Sequence, residues 1–196
     1  TVEFSPESTL ISGASGTGRS TVLDAYLALM MDSNTPFNGA SNDAGRGRAR
    51  SATQRSLLTY LRGKLDDIRE NGEAAELNLR GSNSWTWGAV AATFVNDRDQ
   101  RFTPVRLYYV PRSAARDGDI TKKLCTTPGT VDLKDFELLA TDKFDKRAVE
   151  SRFPTMTVHG TYEAFAVAIH RRLGIGLGGD GASALRLLAR IQAGAP

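Results

Sequence analysis

Gly13-Ala14-Ser15-Gly16-Thr17-Gly18-Arg19-Ser20 has the spacing of a phosphate-binding loop, G-x-x-x-x-G-K-[ST], with arginine where the pattern has lysine. Glycines let the backbone curl until several N–H groups point into one cavity. A helix that follows adds the positive end of its dipole. The flanks fit. Thr9-Leu10-Ile11 is an apolar stretch that predicts a buried strand running in, and residues 21–31 predict a helix running out. Backbone amides of residues 15–20 are then expected to cradle the phosphates of ATP. The candidate nucleotide-binding residues are Gly13, Ser15, Gly16, Thr17, Gly18, Arg19, Ser20 and Thr21, and the Ser20 hydroxyl is the candidate Mg²⁺ ligand. Lysine would bring a compact charge on a flexible stem to the β- and γ-phosphates, whereas arginine brings a larger planar fork. Phosphoryl transfer depends on placement, so Arg19 is expected to impair hydrolysis. No residue of the chain is assigned a catalytic role.

Residues 46–64 hold a second charged feature. Six basic side chains (Arg46, Arg48, Arg50, Arg55, Arg62 and Lys64) occur there without one acid. Such a run suits sequence-independent, salt-sensitive contact with DNA phosphates. Arg46, Arg48, Arg50 and Arg55 are the candidates for DNA or for the bound nucleotide; the plain alternative is a solvated loop and helix face. Trp85 and Trp87 alternate along a predicted strand and are read as one inward and one outward, with core packing favoured over base stacking. His159 and His170 stand alone in the sequence. Residues 176–181 are glycine-rich but follow a helix rather than a strand, which predicts a link and not a second phosphate site.

The elements that must position these residues read as follows. A helix with a broad apolar face, suited to packing on a sheet, follows the phosphate loop. Residues 34–47 predict a long loop, 51–61 a helix, and 66–84 a polar, turn-rich segment. Residues 84–96 and 104–112 predict two strands joined by the turn Asn96-Asp97-Arg98-Asp99. Asp132 caps a short helix over 133–140, a second helix covers 145–152, and a short strand 155–158. Thr161 caps a helix that Gly174 stops, with Phe165, Ala166 and Ile169 inward, and a last amphipathic helix covers 182–191. The 196 residues are enough for one sizeable domain; 40% are hydrophobic and 24% charged, and the net charge is +3. The lone Cys125 excludes an internal disulfide and suits a reducing cytoplasm. With two histidines and one cysteine a structural zinc site is not expected. No signal peptide or long apolar segment is read, so no membrane crossing is expected. The chain opens on Thr1 rather than Met, and Val2-Glu3-Phe4 reads as a strand under way, so a piece of a longer protein is expected.

Two runs carry a family resemblance. Ser20-Thr21-Val22-Leu23-Asp24-Ala25 directly after the loop resembles the ATPase heads of SMC-type coiled-coil proteins. Phe37-Asn38, then Asn42-Asp43-Ala44-Gly45, the arginine cluster, and Ser56-Leu57-Leu58-Thr59-Tyr60-Leu61-Arg62-Gly63 resemble the bacterial Muk/Mks branch, with the Wadjet-type condensin ATPase the nearest match. The resemblance implies an α/β fold, namely the N-terminal lobe of an ABC/SMC-type P-loop NTPase head, with a mixed sheet, surrounding helices and an antiparallel hairpin on one side. Residues 1–196 would be one half-domain: a phosphate-binding core at 1–31, the basic loop and helix at 32–65, and the hairpin and helical remainder at 66–196. The C-terminal half of the same head would complete the sheet and supply the water-activating acid. A second head would supply the signature motif across a homodimer. Kleisin-type and accessory subunits and DNA would be the partners, the nucleoid the location, and chromosome segregation or plasmid defence the role. Gln100 would be the glutamine with which such heads sense Mg²⁺ and water. Ala92-Thr93-Phe94-Val95-Asn96-Asp97 is the nearest approach to an acidic motor strand, yet lacks the paired Asp-Glu; a hairpin strand is the simpler reading. The alternatives are a stand-alone P-loop phosphotransferase, with the arginine run as its lid, and a DNA-binding module whose degenerate loop is merely structural.

Overall fold

The strand Arg101–Val110 (β5) is ten residues long, and every residue after Arg101 is buried, so both of its faces are covered. In a pleated strand alternate side chains serve opposite faces. Val105, Leu107 and Tyr109 join one core; Arg106, Tyr108 and Val110 face the other way. The computed structural model that shows this describes residues 2–5, 9–12, 18–32, 37, 56–63, 68–70, 73–75, 78–81, 83–175 and 187.

Beside β5 lie Thr86–Ala91 (β3) and Phe94–Val95 (β4) on one edge. Thr121–Pro128 (β6) and then Thr157–His159 (β7) lie on the other. Every pairing is antiparallel, with Trp87 opposite Tyr109, Val105 opposite Cys125, and Cys125 opposite Val158. The expected hairpin across 96–99 is present. Its first strand is broken at Ala92 and Thr93, for a reason visible in its partner. Ala92 N–H donates to the Pro104 carbonyl at 3.3 Å, and Pro104 has no N–H to return. The Thr93 and Thr103 hydroxyls bond to each other across the gap at 2.8 Å.

One face of the sheet carries two 3₁₀ turns, Leu133–Phe136 and Leu138–Ala140, and the helix Lys146–Arg152, taken up below as α3. Phe136, Phe144, Val149 and Met156 fill the space beneath them. The other face carries three helices: Arg19–Met30 (α1), Leu57–Arg62 (α2) and Tyr162–Leu173 (α4). Leu29, Met30, Phe102, Phe165, Ala166 and Ile169 make the core there. Asp145 and Thr161 cap α3 and α4 through side-chain oxygens, and Gly174 ends α4 in the left-handed conformation at φ 67°. The Thr161 cap and the Gly174 stop are as the sequence predicts, whereas Asp145, expected inside its helix, caps it from just outside.

Several expectations are corrected. The fold is α/β, but among the described residues the sheet is antiparallel rather than mixed. Residues 2–5 and 9–12 form no strand: Leu10 is 91% exposed and Phe4 60%. An apolar run becomes a strand only beside a neighbour that shares its hydrogen bonds, and no described strand lies beside either run. The helix predicted over 133–140 is two short 3₁₀ turns, the first still capped by Asp132. The helix predicted from 51 is described only from Leu57; 51–55 lie outside the described residues, as do 34–36, 38–50 and, apart from Leu187, the last predicted helix. The turn-rich segment contains a small hairpin, Ile68–Glu70 (β1) with Glu73–Ala75 (β2). Trp85 and Trp87 share one face: Trp85 stacks on Tyr109 and Trp87 meets Phe144 edge to face, as residues two apart on extended chain must. No helix among the described residues is long and apolar enough to cross a membrane.

Candidate nucleotide-binding helix and its anchors

Gly18 is the residue before α1, at φ 86° and ψ 10°. A Cβ there would meet nothing within 4 Å, so the need for glycine is conformational rather than spatial. Any other L-residue at this φ costs about 1 kcal/mol or more. The helix proper starts at Arg19, and Val22 N–H closes its first bond to the Gly18 carbonyl at 3.2 Å. A left-handed residue followed by right-handed ones turns successive N–H groups toward one point, the geometry that receives an anion. Among the described residues no side chain caps this end of α1, and its first turn holds no acid. The position therefore fits a phosphate, whose charge the helix dipole also favours.

Of the sequence candidates, the structure describes Gly18, the backbone of Arg19 and Ser20, and Thr21, which is exposed. Gly13, Ser15, Gly16 and Thr17 lie outside the described residues, as do the side chains of Arg19 and Ser20. Arg46, Arg48, Arg50 and Arg55 lie outside them too.

The far end of α1 is held by three side chains that no sequence pattern connects with it. Tyr108 Oη donates to the Ala28 carbonyl at 3.1 Å, Tyr162 Oη to Met30 at 2.9 Å, and Arg106 Nη2 to Met31 at 2.5 Å. These are carbonyls that the last turn of a helix cannot satisfy itself, and a cation at that end also suits the dipole. The Arg106 guanidinium lies over the rings of Tyr162 and Phe165, 5.5 and 5.3 Å from their centroids. Burial lowers its pKa and raises that of Tyr108 above the usual phenol value.

The middle of α1 is tied to α2. Asp24 is buried, and Tyr60 Oη donates to its Oδ2 at 2.5 Å. The Tyr60 ring meets Phe37 edge to face, centroids 5.5 Å apart. At the start of α2, Ser56 and Thr59 form a capping box, and the Asp117 carboxylate accepts from the N–H groups of Leu57 and Leu58 at 3.1 and 2.9 Å. At its end Arg62 is buried. Its guanidinium donates to the Gly81 carbonyl through Nη1, and through Nη2 to Pro111 at 3.0 Å and Arg112 at 3.3 Å. Arg62 therefore leaves the basic cluster: it is a structural pin with its donors turned inward. The two sequence runs that carry the family resemblance meet at Asp24 and Tyr60.

The remaining candidates are elsewhere. Gln100 sits in the exposed hairpin turn, its Oε1 accepting from Asn96 Nδ2 at 2.9 Å, and residues 92–97 are hairpin strand and turn. His159 pairs with the Thr126 hydroxyl at 2.8 Å, and burial lowers its pKa. Burial pushes the Cys125 thiol up to about 12, which keeps it protonated and unreactive. Among the described residues no group of three or more His, Cys, Asp or Glu is placed to hold a metal.

Residues 1–44 match the family model of the P-loop containing region of AAA domains. The match spans the glycine-rich loop and the whole of α1, the helix that Gly18 opens. A comparison with curated proteins gives no match. The chain thus carries a P-loop region, the nucleotide-binding kind, ahead of the antiparallel sheet.

Proposed function

We propose that the chain is the ATP-binding half of an SMC-like head of the Muk/Mks/Wadjet kind. The observation that carries the nucleotide part is the left-handed Gly18 opening an uncapped α1 inside the matched P-loop region. The Ser20 hydroxyl, in the first turn of α1, would hold Mg²⁺, and Mg²⁺ would neutralise charge on the β- and γ-phosphates. The Arg19 guanidinium would sit at the phosphates in the lysine's place.

What supports the finer reading is the junction of Asp24 with Tyr60, since it brings together the two runs that resemble this branch. The exposed Val2, Phe4 and Leu10 support it as well. In such a head their neighbours would come from the C-terminal half, which would also bring the water-activating acid. A second head, kleisin-type and accessory subunits, and DNA met by Arg46, Arg48, Arg50 and Arg55 complete the proposal. ATP-driven dimerisation would then serve chromosome organisation or plasmid restriction.

The test is phosphate release from Mg·ATP by this chain and by Arg19→Lys, each alone and mixed with the C-terminal head half. Neither chain alone should turn over. With the half added, Arg19→Lys should exceed the arginine form by about tenfold or more, because misplacing a phosphate clamp is costly. Equal rates would overturn the role given to Arg19. Turnover by the chain alone would point to a self-sufficient phosphotransferase instead.

A further inference from the structure

Asp24 follows Ser20 by four residues and Thr21 by three, and side chains so spaced share one face of a helix. Its carboxylate is buried against Tyr60 Oη. Tyr60 is itself held, by the Phe37 ring and by an α2 fixed at both ends through Asp117 and Arg62. Among the described residues the other holds on α1, the hydrogen bonds to the carbonyls of Ala28, Met30 and Met31 and the buried side chains of Leu27, Leu29 and Met30, are at its far end. Asp24 is six residues from Gly18, about 9 Å along the axis.

We infer that Asp24 and Tyr60 are positioning residues for the magnesium-nucleotide: their hydrogen bond sets the rotation of α1 about its axis, and so the direction in which the Ser20 face meets the ion. This rests on the nucleotide-binding reading above and adds the element that aims it. The leverage is large. A rotation of about 20° carries a group roughly 5 Å from a helix axis through nearly 2 Å. A misplacement of about 1 Å can cost on the order of a hundredfold. The three donors at the far end hold that end in place but lie beyond the turn that carries Asp24.

The experiment titrates a fluorescent ATP analogue into the full chain, with Mg²⁺ and with EDTA, and records thermal midpoints alongside. Tyr60→Phe removes the hydroxyl and keeps the ring on Phe37. Tyr162→Phe makes the same deletion at the far end of the same helix. Tyr60→Phe should weaken binding about tenfold with Mg²⁺, the scale of a lost charge-assisted hydrogen bond, and less than about twofold in EDTA. Tyr162→Phe should lower the midpoint while leaving Mg²⁺-dependent binding within about twofold of the parent. Should Tyr60→Phe fail to fold, Asp24→Asn replaces it. Asn still accepts from Tyr60 but without the charge, and should weaken Mg²⁺-dependent binding severalfold. Parent-like binding by the Tyr60→Phe or Asp24→Asn variant used, or an equal loss with and without Mg²⁺, overturns the inference alone. A parent chain that binds no nucleotide overturns the reading beneath it.

Discussion

Arg62→Met unfolds at a midpoint roughly 10 °C below the parent chain, from a loss of about 3–5 kcal/mol. Arg62 is 7% exposed, and its two terminal nitrogens serve the carbonyls of Gly81, Pro111 and Arg112. Methionine fills most of the volume but donates to none of them. An abandoned buried acceptor costs about 1–3 kcal/mol, and the sum is limited by water reaching some of the three. Lysine restores the charge but not the fork, so Arg62→Lys should recover less than half of the loss. Because Arg62 joins α2 to the chain at 81 and at 111–112, the same change should loosen α2 first, visible as faster amide exchange at Tyr60 and Gly63. A midpoint within 2 °C of the parent would mean that the three carbonyls are hydrated and that Arg62 belongs to the surface after all.

Phe165→Ala produces a loss of similar size by another route. Phe165 is fully buried at the centre of the core shared by α1, α4 and the sheet. Truncating a buried phenylalanine costs about 3–5 kcal/mol, part for lost burial and part for the cavity left behind. Here the ring also underlies the Arg106 guanidinium and meets His159 edge to face, 5.9 Å between centroids. Without it Arg106 loses an aromatic face that partly offsets its desolvation. Phe165→Leu, which keeps most of the volume, should cost less than about 1.5 kcal/mol. Urea unfolding reads both, with the slope unchanged if only stability moves. Alanine and leucine giving the same midpoint would contradict the packing described for α4.

What was legible in the sequence was whatever local chemistry decides. Thr161 and Gly174 announce their helix ends because a short oxygen or a missing Cβ does its work within one turn. The hairpin across Asn96-Asp97-Arg98-Asp99 is equally local. Elements decided by distant partners were not legible. β6 went unpredicted because Thr121-Lys122-Lys123-Leu124 has no clean alternation; it is a strand because β5 and β7 flank it. The β1–β2 hairpin has one local signal in the sequence, the Asn71-Gly72 pair between Glu70 and Glu73. Thr9-Leu10-Ile11 has the opposite history, apolar enough for a strand but without a described neighbour to make one.

The site divides in the same way. The glycine spacing of the phosphate loop is a local signal, and Gly18 takes the backbone conformation that the spacing demands. The anchors of α1 come from positions up to 132 residues away, and no pattern in the sequence joins Tyr162 to Met30. Arg62 misled because charge alone suggests a surface. A guanidinium beside a glycine that ends a helix can equally be turned toward backbone carbonyls.

The measurement that bears most directly on the account is a titration of the fluorescent ATP analogue, with Mg²⁺, into the full chain and into Gly18→Val. Valine is β-branched and strained at φ 86°, yet a Cβ there meets nothing within 4 Å, so the fold should survive while the first turn of α1 is redirected. The account predicts saturable one-site binding by the parent chain, displaced by unlabelled ATP. It predicts binding at least about tenfold weaker in the variant, with a thermal midpoint lowered by only a few degrees, the scale of about 1–2 kcal/mol of local strain. No saturable binding by the parent, or equal binding by both, would contradict it.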